Sequence, residues 1–171
     1  MIRKAVFAAC LLVAPLSLSG CGFTPVYAQK GLAATLAGID FNVTESRTGY
    51  FVRQNLVSGF DSAAAATKPY RLDVKLVENR YDIGVGVNDT ATRSEISNSV
   101  TYQLVDVQTR KVLTEGSFVD TTTYDASNKS PYGSVISQKD GQQRAATSIS
   151  ERLRNDITLY FHGKATAASA N

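Results

Sequence analysis

The chain has 171 residues, with 18 Lys and Arg against 15 Asp and Glu, one His and two Cys. That length suits one domain with room for a real core. No Lys/Arg-rich run follows the N-terminus, so nucleic-acid binding lacks the basic footprint it needs, and no His/Cys cluster exists to hold a metal.

Arg3-Lys4 precedes an apolar run from Ala5 to Leu18, the charged-then-apolar pattern of an export signal. The run falls short of the roughly 20 residues that a bilayer-crossing helix needs. Leu18-Ser19-Gly20-Cys21 closes it. A Leu, two small residues and a Cys resemble the lipobox of bacterial lipoproteins, in which the Cys takes a diacylglyceryl group on sulfur and becomes the acylated first residue of the mature chain. Removing residues 1–20 takes Arg3 and Lys4 with it and leaves 16 basic against 15 acidic side chains, so the basic pI says little about partners. Cys10 leaves with the signal and Cys21 is the lipid attachment residue. The folded part is therefore expected to have neither a disulfide nor a thiol ligand, and to depend on packing.

Residues 21–37, opening on Gly22-Phe23-Thr24-Pro25-Val26-Tyr27, read as a lipidated Cys and an extended tether. Residues 38–162 read as one domain. Gly38 to Val43 alternates apolar and polar residues, the period of a half-buried strand. From Thr48 to Phe60 the positions Val52, Leu56 and Phe60 recur at four-residue spacing beside Val57, with Ser46 or Thr48 as cap, which predicts an amphipathic helix. Asp61 to Pro69 reads as a loop. Tyr70, Leu72, Val74 and Leu76 then alternate with Arg71, Asp73 and Lys75 in the clearest strand pattern of the chain.

Gly84, Gly86, Asn88 and Asp89 mark a connection, after which Ser94 to Val107 alternates again and should pair with the preceding strand as a hairpin. A polar link, Gln108 to Lys111, leads to a strand over Val112 to Tyr124, rich in Thr, Val and Phe. Ile149, Leu153 and Ile157, continued by Tyr160 and Phe161, predict a second amphipathic helix that begins between Gly133 and Gln142. Residues 163–171 are small and polar and read as a disordered tail. Two amphipathic helices need one apolar surface, so the expected fold is α+β: a two-layer sandwich of two helices on one face of a four-stranded mixed sheet.

Catalytic chemistry is absent from this reading. The single His162 sits at the end of the last helix, where a cation simply complements the helix dipole, and no nucleophile with a positioned base is evident. Asp82, Asn88 and Asp89 lack the spacing of a calcium loop and are turn residues. Gly84-Val85-Gly86 lacks the Lys-Ser/Thr that would make it a phosphate loop. A non-enzymatic protein without cofactor or metal is expected.

Cys21-Gly22-Phe23-Thr24-Pro25-Val26-Tyr27 is similar to the start of the LPS-assembly lipoproteins, the LptE family, of the α-proteobacterial kind, where Cys-Gly-Phe-x-Pro-Leu-Tyr is typical; Val26 replaces the Leu. The resemblance continues through Thr90-Ala91-Thr92-Arg93, Tyr102-Gln103-Leu104-Val105-Asp106, Lys111-Val112-Leu113 and the closing helix. It implies two helices on a four-stranded sheet, and a lipoprotein that plugs the outer-membrane β-barrel LptD and helps to insert lipopolysaccharide into the outer leaflet. In enteric lipoproteins Asp after the Cys retains the protein in the inner membrane, so by resemblance Gly22 implies the outer membrane, lipid-anchored on the periplasmic side. Lipid A phosphates call for Arg or Lys at an exposed element end. The resemblance implies Arg93, between the second and third strands, and Lys139, near the start of the last helix. An auxiliary lipoprotein of a periplasmic lipid-transport complex is the alternative, and a lipoprotein hydrolase comes third.

Overall fold

The structure, a computed structural model, describes residues 31–85, 91–126 and 131–169. Cys21, Gly22 and the lipobox lie outside the described residues. The chain forms α1 (Leu32–Ala37), β1 (Ile39–Val43), α2 (Arg47–Gly59), a 3₁₀ turn (Ser62–Ala64), β2 (Tyr70–Val85), β3 (Ala91–Asp106), β4 (Val112–Asp125) and α3 (Pro131–Ser169). The sheet order is β1-β2-β3-β4. β1 pairs in parallel with β2 from Ile39 opposite Tyr70 to Val43 opposite Val74, and the other pairs are antiparallel. A parallel pair needs a crossover, which α2 supplies. The architecture is a two-layer α+β fold on a mixed sheet, as expected.

The two-residue period puts Leu72, Val74, Leu76, Val100, Tyr102 and Leu104 on one sheet face, where all are buried. Val52, Leu56 and Phe60 of α2, with Ile149, Leu153, Ile157 and Phe161 of α3, close over them. The other sheet face carries Arg71, Lys75, Ser99, Thr101 and Val119, all exposed. Ser46 caps α2, its Oγ accepting from Gly49 N–H at 2.9 Å. Gly49 has no room for more, since a Cβ there would stand 2.1 Å from the carbonyl oxygen of Thr44.

Two stretches depart most from expectation, and smaller shifts carry β2 through Gly84 and start β3 at Ala91, so that Arg93 lies within β3 and not between the strands. Leu32–Ala37, read as tether, is a helix: Leu32 and Leu36, four residues apart, are both buried in the core. The Lys68 ammonium donates to Ala37 O at 3.3 Å and also to Ser62 O, tying the end of α1 to the α2–β2 connection. α3 begins at Pro131, earlier than the predicted window, and its helical backbone runs to Ser169, through the residues read as a tail. Pro131 is favoured at a helix start because its missing N–H would go unused there.

The sheet has two unlike ends. At its base, where Ile39, Tyr70 and Asp106 are in register, all four strands, α1, α2 and α3 meet. Toward the tip, where Val85 lies opposite Ala91 and Arg93 opposite Asp125, β1 has ended. A belt of polar side chains separates the two on the helix-facing side: Glu78, Asn98 and Asp120, side by side on β2, β3 and β4. Glu78 accepts from Thr48 Oγ1 at 2.6 Å and Gln142 Nε2 at 2.8 Å, and Asp120 accepts from Ser148 Oγ at 2.6 Å. Asn98 is fully buried, and its amide meets no protein donor or acceptor. Beyond the belt, Ile96, Tyr124 and Ala145 form a smaller buried patch outside the main core.

Candidate ligand groove

At the tip a groove of about 570 Å³ wraps around the free edge of β4, lined by Arg93, Tyr124, Asp125, Ile136, Asp140 and Arg144 among others. β-register sets Arg93 opposite Asp125 on the open sheet face, and the first turns of α3 supply the opposite wall. Arg144 closes the edge: its Nη2 donates to the carbonyl of Thr123 at 3.0 Å while its Nε donates to Asp140 at 2.9 Å, one helical turn earlier. An unpaired strand edge is a row of open backbone groups, and here one of them is capped by a side chain. Arg93 is exposed and holds no ion pair among the described residues.

Around the groove the tip exposes Tyr132 (77%), Tyr81 (52%), Ile83 (49%), Val135 (46%) and Ile136 (45%). Arg93, which forms no ion pair with the Asp125 opposite it, at an end of the domain that also exposes apolar side chains, suits an amphiphile with an anionic head. A second groove of about 470 Å³, on the open sheet face near the end of β1, lacks that combination. Its Asp73 is already engaged, by Arg71 at 3.0 Å and by Asn42 at 2.7 Å.

Of the residues read from the sequence, Arg93 lines the tip groove and Lys139 does not. Lys139 is exposed on α3, beside Asp140 in the chain. The second cation in the groove is Arg144, which sequence reasoning placed only on the polar face of the helix. Its spacing of four from Asp140 signals an ion pair, but no local pattern signals the reach to Thr123 across 21 residues.

The clear titration shifts lie elsewhere. Tyr102 is pushed up to about 12 by burial and by its hydrogen bond to Asp156 at 3.0 Å. Asp106 is held below the usual carboxylate range by hydrogen bonds from Thr109. Both serve structure, the first bridging β3 to α3 and the second organising the β3–β4 turn. His162 is half-buried in α3. Among the described residues no group of three or more His, Cys, Asp or Glu is placed to hold a metal, and no helix is long and apolar enough to cross a membrane.

No family model matches the chain. Its fold is similar to the crystal structure of a candidate lipoprotein from Caulobacter crescentus CB15, with a TM-score of 0.65 and 29% identity, covering 78% of this chain and 97% of that one. Rare lipoprotein B from Shewanella oneidensis is more remote, at a TM-score of 0.46 and 11% identity over 71% of this chain and 97% of that one. In sequence the chain is 25% identical over 145 residues to an uncharacterised protein of Rickettsia prowazekii (strain Madrid E), covering 84% of this chain and 90% of that protein.

Proposed function

We propose that this protein is a non-enzymatic outer-membrane lipoprotein, acylated at Cys21, that plugs an LptD-type β-barrel and contacts lipopolysaccharide during its insertion into the outer leaflet. The observation that carries the ligand part is the tip, where Arg93 and Arg144 line one groove with Ile136 and where Val135 and Tyr132 are also exposed on α3. Cations for lipid A phosphates and apolar side chains for acyl chains thus occupy one end of the domain. The lipobox at Leu18–Cys21 and the similarity to a candidate lipoprotein support the anchor. An anchor in the inner leaflet would raise the local concentration of the domain at the periplasmic mouth of a barrel.

The ligand assignment is tested by lipopolysaccharide binding at two salt concentrations, since exposed phosphate contacts weaken with screening. Each well-ordered cation should contribute about 1.5 to 3 kcal/mol. Arg93→Glu/Lys139→Glu should weaken binding severely, and Arg93→Glu alone by more than Lys139→Glu alone, while melting stays unchanged. Parental binding by the double variant would remove both residues from the site. The anchor is tested separately: Cys21→Ser should lose all label from a radioactive fatty acid.

A further inference from the structure

The tip groove lies far from the point where the N-terminal segment enters the fold. Gly31 precedes α1, and the next glycine, Gly38, packs against Pro69 and accepts from Tyr70 N–H at the base. Cys21 and Gly31 are ten residues apart, a separation that extended chain spans by at most about 35 Å. β2 and β3 each have 16 residues and run for about 50 Å. An acyl group on Cys21 therefore keeps the base within reach of the bilayer, while the tip can stand clear of it.

The base surface has a composition to match. In the β3–β4 turn, Val107 is 48% and Val112 43% exposed, on either side of exposed Arg110 and Lys111. The turn is firmly built. Asp106 Oδ1 accepts from the backbone N–H groups of Gln108 at 3.0 Å and Thr109 at 2.8 Å, Arg110 N–H bonds back to Asp106 O at 2.8 Å, and Val107 N–H is held by Pro69 O at 2.9 Å. α3 continues past Phe161, whose ring packs on Tyr70, and brings Lys164 to the same end. Among the acidic groups here, Asp106 is occupied by the turn and Asp61 faces solvent from the α2–β2 connection. Lys68 is turned inward onto Ala37 and Ser62.

We propose that the β3–β4 turn and the end of α3 form a docking face for an anionic bilayer surface, with Val107 and Val112 at headgroup level and Arg110, Lys111 and Lys164 against lipid phosphates. The face seats the anchored domain base-down before it meets a protein partner and leaves the tip groove pointing away from the membrane. Orientation by a few cations and aliphatic side chains beside a lipid anchor follows the two-signal logic of peripheral attachment. The inference rests on the reading of Cys21 as acylated.

The chain contains no tryptophan, so a single one reports position. The acylated protein carrying Val107→Trp, and separately Tyr132→Trp at the tip, is bound to vesicles of phosphatidylethanolamine and phosphatidylglycerol containing brominated lipid. The Val107→Trp protein should show blue-shifted, quenched emission, relieved by adding Arg110→Glu/Lys111→Glu, whereas the Tyr132→Trp protein should emit as in solution. Equal quenching at both positions, or quenching at position 107 that ignores the charge reversal, overturns the docking face. The unacylated Cys21→Ser chain should keep the preference, its partition into the same vesicles falling by at least about thirtyfold on the charge reversal, the factor for the loss of two surface cations alone. Absent fatty-acid label with that preference intact refutes the anchor alone; normal label without quenching at position 107 refutes the docking face alone.

Discussion

The base and the tip of this domain are built from the same three long strands and the same helix, yet they differ in kind. At the base every helix-facing position from Leu72 to Leu76 and from Val100 to Leu104 is apolar or the aromatic Tyr102, and three helices cover them. At the tip one helix covers a patch of Ile96, Tyr124 and Ala145, cut off from the core by the Glu78–Asn98–Asp120 belt. Apolar burial sets stability, so the base holds the fold while the tip is free to expose apolar side chains and cations. The division of labour predicts that perturbations of one kind give unlike results at the two ends.

The largest effect belongs to the core seam. Leu153→Asp puts an unpaired charge at a fully buried position of α3 and should cost several kcal/mol, enough to unfold a marginally stable domain. Arg152→Asp, one residue away, loses a guanidinium 4.2 Å over the Phe118 ring and should cost about 0.5 to 1 kcal/mol. Thermal melting separates the two, and equal melting temperatures would mean that the helix face is misassigned.

Two glycines sharpen the contrast. Gly49→Ala, at the belt-side margin of the main core, drives a methyl group into Thr44 O and should destabilise by about 2 kcal/mol or more. Gly141→Ala at the tip places its methyl at an ordinary 3.4 Å from Ile96 and Tyr124. There the gain in helix propensity should prevail, raising stability by about 0.5 to 1 kcal/mol in urea titrations. Opposite signs are the prediction, and a loss at both would show that the tip is packed as tightly as the main core.

Asn98→Leu removes two polar atoms that meet no protein partner in a fully buried site and should stabilise by about 1 kcal/mol. Destabilisation on chemical denaturation would reveal a function for that amide in the belt. A further effect is confined to alkaline pH and absent near neutrality. Because Tyr102 keeps its proton to about 12 when folded against 10 when unfolded, its contribution is complete below pH 10 and is lost as pH rises toward 12. Tyr102→Phe should flatten the stability profile across that window while leaving the profile near pH 7 unchanged in slope.

The strands, the α2 cap narrowed to Ser46 or Thr48 and the α3 stripe were legible because each is a local signal: a period of two, a hydroxyl near the first helical turn, a spacing of four. Leu32–Ala37 was missed because six residues, flanked by glycines, form a helix only through the tertiary burial of Leu32 and Leu36. The start of α3 was missed because Ser134 to Gly141 carries little apolar periodicity, its covering of the tip being partly polar. Arg93 came from the family resemblance, which set it between the second and third strands, whereas it lies inside β3 opposite Asp125. Arg144 was not legible, since its contact with Thr123 depends on a strand edge that only the sheet order reveals.

The central claim is that the anchored domain works inside a barrel, and crosslinking in intact membranes followed by purification of the acylated protein and identification of its companion tests it most directly. The account predicts a large outer-membrane β-barrel as the main partner. A transporter of the periplasmic lipid-transport class in its place would contradict the plug role and establish the alternative reading.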